Sequence, residues 1–153
     1  MPLSFSDLSE ILNIEENKIL NFQTHNGAID YKGCEFSIAN TKYIFRLAKV
    51  TPKKNGLFVT FWNRNKQGTT EPYSVSEKFD VLLILCLDDS NKGFFSFSKD
   101  TLITNNILVD EDNMIAGKRG FRVYPKWSEP GSKQALVTKQ WQMDYFSRDF
   151  TPK

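Results

Sequence analysis

The stretch Cys34–Arg64, CEFSIANTKYIFRLAKVTPKKNGLFVTFWNR, reads as three consecutive strands joined by two tight turns. Residues 42–50 place Tyr43, Phe45, Leu47 and Lys49 on one face and Ile44, Arg46, Ala48 and Val50 on the other. Both faces are largely apolar, which is the pattern of a central strand covered on two sides. A two-residue turn at Asn40–Thr41 pairs Ala39 with Lys42, Ser37 with Ile44, and Glu35 with Arg46. In that register Glu35 and Arg46 form a cross-strand charge pair. Thr51, Pro52, Asn55 and Gly56 make the second turn, and Leu57–Trp62 returns as the third strand.

The same stretch carries one acid, Glu35, and six bases: Lys42, Arg46, Lys49, Lys53, Lys54 and Arg64. Arg46 and Lys49 point in opposite directions, each into mostly apolar company. Burying such a charge costs several kcal/mol unless it is paired. Two inward charges on one buried strand mark a site. Lys53 and Lys54 stand beside the end of that strand, where solvation alone also accounts for them.

Working outward, 153 residues make one domain, 1–153, with no internal repeat or linker. The net charge of +2 is too small for binding by bulk electrostatics, so an anion site must come from local clustering of Lys and Arg. Cys34 and Cys86 lie inside apolar runs and read as small buried hydrophobes. No signal peptide opens the sequence, and the longest apolar run, Val81–Leu87, is far too short to span a bilayer. A cytoplasmic chain without a membrane partner is expected.

Residues 4–13 predict a short helix capped by Ser4 or Ser6, and 14–22 read equally as helix or strand. His25, the single histidine, falls in the turn THNG and reads as a solvated loop residue without a partner. Residues 65–78 are polar and loop-like. FDVLLILC at 79–86 predicts a second buried strand with Asp80 at its mouth, followed by a strand at 93–97 and a helix capped by Ser98. The stretch KRGFRVYPKW, 118–127, gathers Lys118, Arg119 and Arg122 beside Tyr124 and Trp127. A last helix, 132–147, presents Leu136, Val137, Trp141, Met143, Tyr145 and Phe146 as a broad apolar side.

There is no Gly-rich phosphate loop, no GxSxG elbow and no Cys/His cluster. What remains is cationic: Arg46, Lys49, Lys53, Lys54 and Arg64 from the first stretch, and Lys118, Arg119 and Arg122 from the second. Interleaved with Trp62, Tyr124 and Trp127, they have the makings of a phosphate-and-base surface.

The blocks FRLAKVTPKKNGLFVTFWNR, EKFDVLLI, GFFSFSKDTLI and KRGFRVYPKW resemble the MepB family over about Glu35 to Phe146. These are small bacterial cytoplasmic proteins named for an operon that also encodes a multidrug efflux pump and its repressor. The resemblance implies an α/β (α+β) fold of the restriction-endonuclease-like group, a mixed, largely antiparallel central sheet flanked by helices. That group sets an acid on one strand and a (D/E)-x-K pair on the next, holding a divalent metal. Lys49 matches the lysine, but Leu47 stands where the second acid belongs, leaving Glu35 and Asp80 as the available carboxylates.

Three functions follow. The first is nucleic-acid (DNA) binding without a resident metal, with Arg46 and Lys49 as inner cations and Arg119, Arg122, Tyr124 and Trp127 as the opposing wall. The second is a metal-dependent nuclease using Glu35, Asp80 and Lys49 with a divalent metal. The third is a protein that binds a small anionic or nucleotide-like ligand. An open cleft favours the first two and a closed cavity the third.

Overall fold

The computed structural model describes all residues 1–153. Helix α1 (Phe5–Leu12) opens the fold; the Ser4 hydroxyl oxygen accepts from the Asp7 amide at 3.0 Å, satisfying one of the helix's free donors. Strands β1 (Ile19–Thr24), β2 (Cys34–Ile38) and β3 (Thr41–Leu47) follow as an antiparallel meander. The next segment carries β4 (Lys49–Val50), β5 (Leu57–Thr60), β6 (Trp62–Arg64) and β7 (Thr70–Pro72). The hairpin β8 (Val81–Asp88) and β9 (Asn91–Ser98) leads into helix α2 (Lys99–Thr104), then β10 (Gly120–Val123), helix α3 (Lys133–Gln142) and β11 (Phe146–Ser147).

The main sheet has six strands in the order β1-β2-β3-β8-β9-β11, and only β3 and β8 run parallel. Parallel neighbours require a crossover, because a tight turn can only reverse the chain. Residues 48–80 make that crossover. They supply β4 and β5, which β10 joins in a three-stranded sheet of order β10-β5-β4, and a β6–β7 ribbon; together these roof one face of the main sheet.

Strand β8 shows why the sheet is covered twice. Val81, Leu83 and Leu85 enter a core with Leu8, Leu12, Phe36, Phe45 and Phe94. Leu82, Ile84 and Cys86 enter the opposite core with Val59, Phe61, Phe97, Leu102 and Val123. A continuous apolar run supplies both faces because side chains alternate. This is the mixed, largely antiparallel α+β architecture that the sequence led us to expect.

The first hairpin departs from expectation. Its turn is Ala39–Asn40, so Ile38 faces Thr41, Phe36 faces Tyr43 and Glu35 faces Ile44 rather than Arg46. A two-residue shift leaves every side chain on its expected face. It also sets Phe36 and Tyr43 directly opposite, with rings stacked at 5.1 Å and 13°. The shift takes Glu35 away from the position directly opposite Arg46 but keeps the two on one face of the sheet.

The predicted strand over 42–50 breaks at Ala48. Its amide still donates to the Leu85 carbonyl, but Lys49 and Val50 leave to pair with Phe58 and Leu57 in the second sheet. The third predicted strand breaks at Phe61, whose amide donates to the Arg119 carbonyl. The polar loop 65–78 hides β7. The last helix stops at Gln142, and Leu136 and Val137 face solvent. Gln142 fixes that rotation: buried, it accepts from the Tyr124 amide at 2.8 Å and donates to the Arg122 carbonyl at 2.9 Å. Both free cysteines are buried, which pushes the Cys34 thiol up to about 12 and the Cys86 thiol higher still.

Candidate functional site

Arg46 is the largest fully buried side chain of the protein, 1% exposed, on the face of β3 that also carries Ile44. No carboxylate lies within salt-bridge distance of it; the two ion pairs, His25–Glu35 and Lys42–Glu35, both belong to Glu35. Instead Nη1 donates to the Phe45 carbonyl at 2.9 Å and to His25 Nδ1 at 3.0 Å, and Nη2 reaches the Tyr73 hydroxyl at 3.4 Å. Nε has no partner. A guanidinium so deeply desolvated, held by neutral groups and with its Nε unpartnered, is costly for stability alone. Gly33 permits the placement, since a Cβ there would sit 2.9 Å from Nη1.

His25 is the hinge of the arrangement, not the solvated loop residue predicted. Its backbone amide donates to Gly33 and its carbonyl accepts from Ala28, which fixes the ring at the end of β1. Its Nε2 donates to Glu35 Oε1 at 2.8 Å, while Nδ1 accepts from Arg46. A carboxylate only accepts and a guanidinium only donates, so the ring is neutral with its proton on Nε2. The expected Glu35–Arg46 contact is therefore relayed through His25. Glu35 Oε2 is taken by Lys42 Nζ at 3.1 Å.

The titration of these groups follows from the geometry. Burial, and then the Arg46 charge, hold His25 below the usual imidazole value, against the pull of Glu35. Burial pushes the Glu35 carboxyl up, but the hydrogen bonds from His25 and Lys42 outweigh it and leave the group below its usual value. Burial raises the Tyr73 phenol despite Arg46 nearby, so its hydroxyl stays protonated.

One expected result follows. The unfolded chain takes up a proton on His25 near pH 6.5 while the folded chain resists it. The stability this contributes is present above pH 6.5 and is lost as pH falls from there toward the lower folded value. Urea midpoints measured at about pH 7.5 and about pH 5.5 should separate in the parent and draw together in His25→Gln. Equal separation in both proteins would refute the assignment.

Around Arg46 lies a cavity of about 320 Å³ lined by His25, Glu35, Trp62, Asn63, Arg64, Tyr73 and Glu77 among others. The β6–β7 ribbon brings Trp62, Asn63, Arg64 and the chain leading to Tyr73 over the end of the β1–β2 hairpin. Asn63 Nδ2 donates to Glu77 Oε1 at 3.0 Å, and its buried Oδ1 has no partner. Arg64 stands 5.4 Å from the Trp62 ring and donates to the Gly68 carbonyl.

Of the residues named from sequence, Arg46, Glu35 and Arg64 come together here, with Trp62. The others are elsewhere. Lys49 is half-buried with Nζ 4.7 Å from the Tyr31 ring, and Lys53 is exposed in a turn at φ 63. Arg119 donates to the Thr70 carbonyl, and Arg122 to the Asn55 carbonyl and the Thr51 hydroxyl. Lys118, Arg122 and Tyr124 line a separate cleft of about 280 Å³ beside α3. Trp127 packs edge-on against Phe146 at 5.8 Å, with Arg148 over its ring. The second basic stretch is thus not an opposing wall for Arg46, because β10 pairs with β5 on the far side of the crossover sheet.

Asp80 does precede a strand adjacent to β3, but at the end remote from Lys49. Its Oδ2 accepts from the Lys42 amide at 2.8 Å. Lys42 and Lys49 are seven positions apart, roughly 20 Å of extended chain. With both Glu35 oxygens occupied, Glu35, Asp80 and Lys49 do not fit a two-carboxylate metal site. No three of the His, Cys, Asp and Glu side chains cluster as metal ligands.

His25, Asn63, Tyr73 and Glu77 are what sequence reading missed. His25 had one signal: extending the ambiguous segment 14–22 as a strand to Thr24 pairs Thr24 with Cys34 and brings His25 diagonal to Glu35. Asn63, Tyr73 and Glu77 had none, since their approach depends on a ribbon inside a polar loop.

The fold is a mixed, largely antiparallel α+β sheet covered on both faces, with a buried arginine beside a small polar cavity. The sequence profile of the MepB-like family matches residues 25–148. The chain is also similar to a solved structure titled "Crystal Structure of MepB", 34% identical over 99% of both chains, with a TM-score of 0.84. It belongs to the MepB-like family. No curated protein matches it. No helix is long and apolar enough to cross a membrane.

Proposed function

We propose that this protein binds a small polar ligand of nucleoside or nucleotide size in the Arg46 cavity. One observation carries the reading: a fully buried guanidinium with no carboxylate partner and an unpaired Nε belongs to a residue that lines a cavity of about 320 Å³. That volume sits at the lower end of ligand pockets, which start at about 300 Å³. It suits one small molecule rather than a run of nucleotides. His25 serves to position, because both of its ring nitrogens are already engaged.

A second reading, nucleic-acid binding, rests on Lys53, Lys54 and Arg64, exposed cations without acid partners. The restriction-endonuclease-like assignment would add magnesium-dependent cutting, which the separation of Asp80 from Lys49 argues against. Equilibrium binding of mononucleotides, nucleosides and DNA between about 50 and 200 mM salt separates the readings. The small-ligand reading expects saturable binding of a mononucleotide or nucleoside, little changed by salt and lost on changing Arg46. DNA binding with a steep salt slope that falls by about two in Lys53→Ala/Lys54→Ala would replace it with the nucleic-acid reading.

A further inference from the structure

Resting on the small-ligand reading, we infer that the cavity recognises a neutral oxo-heterocycle of the guanine type through its base edge, not a phosphate. The free edge of Arg46 decides half of this. A guanidinium offers two parallel donors along its Nε–Nη2 edge, a fork matched to two neighbouring acceptors. Here Nη1 is spent on Phe45 and His25, Nε is unpaired, and Nη2 has only the long contact to Tyr73. The fork therefore lacks strong partners, and an adjacent ring nitrogen and carbonyl are among the acceptor pairs it fits best.

Asn63 decides the other half. Its Nδ2 donates to Glu77, and a carboxylate cannot donate back, so the amide cannot be flipped. Its buried, unpartnered Oδ1 is consequently an acceptor waiting for a donor. Phosphate brings mostly acceptor oxygens and would set negative charge against that oxygen. A ring lactam or exocyclic amine brings the N–H that Oδ1 lacks. The charges of the wall agree: Arg46 and Arg64 are matched by Glu35 and Glu77, so the cavity carries no excess positive charge to hold a dianion. The flat side chains of Trp62 and Tyr73 in the same wall suit a planar guest.

The test is an NMR titration of the full chain with guanosine, adenosine and inorganic phosphate in parallel. The buried Arg46 Nε–H and the Trp62 indole are the reporters. Guanosine is expected to shift both reporters at saturable concentrations, with adenosine at least tenfold weaker and phosphate inert. Asn63→Leu should weaken guanosine roughly tenfold or more by removing the acceptor. Arg46→Lys, which keeps the charge but loses the fork, should do the same. Phosphate binding at the reporters without guanosine, or guanosine binding unchanged in both variants, would overturn the base-edge assignment while leaving a ligand site. If neither these probes nor the nucleotide panel moves the reporters, the ligand-site reading fails with it.

Discussion

Arg46→Met is expected to leave the protein at least as stable as the parent, by as much as about 1–4 kcal/mol more stable, while abolishing ligand binding. Most fully buried side chains give the opposite sign when changed. The difference lies in what Arg46 costs: its charge is 1% exposed, no carboxylate pairs it within salt-bridge reach, and Nε is unpaired. Met has a similar length, needs no hydrogen bonds and fills irregular space beside Ile44, Ala48 and Tyr73. Removing the other member of the relay should behave differently. Glu35→Ala leaves the guanidinium and His25 without the acid that balances them, at a cost of about 1.5–3 kcal/mol. In the Arg46→Met background most of that cost should vanish, so the two changes couple strongly. Urea unfolding with an unchanged slope checks all four proteins. A large loss of stability in Arg46→Met would mean that the arginine is there for the fold.

The parts of this molecule that sequence exposes are those set by short-range alternation. Val81–Cys86 declares a strand buried on both faces, and Ser4 and Ser98 declare helix starts that their hydroxyls cap. Arg46 declares itself by standing in such a strand. The rest depends on pairing across distance. The hairpin register differs by two residues from the charge-based one, and since both put the same side chains on the same faces, alternation alone does not choose between them. The crossover sheet unites residues 49–60 with 120–123, and nothing local in either announces the other. The candidate site suffers most, since His25, Asn63 and Tyr73 join Arg46 only once the crossover has folded back over β3. The family resemblance carried over 25–148, but a shared fold does not by itself place a ligand.

Phe61→Ala is expected to cost about 3–5 kcal/mol and to loosen the cavity although Phe61 does not line it. Phe61 is fully buried where the chain passes from β5 to β6. Its ring stacks on Tyr73 at 4.3 Å and 16° and meets Phe79 edge-on at 6.1 Å. Truncation loses the transfer energy of the ring, leaves a void the sheet cannot close, and removes an aromatic pair worth about 0.5–1.5 kcal/mol beyond its area. The functional consequence passes through Tyr73, whose hydroxyl is the partner of Arg46 Nη2. Without Phe61 behind it the phenol can tilt, and the guanidinium loses the contact that orients its free edge. Tyr73→Phe separates the two effects: it keeps the stack and removes only the hydroxyl, so stability should change by about 1 kcal/mol. The readouts are denaturation midpoints and the exchange rate of the Arg46 Nε–H proton, which should rise in both variants. A cost below about 1 kcal/mol in Phe61→Ala would show that the crossover sheet does not hold Tyr73 against Arg46.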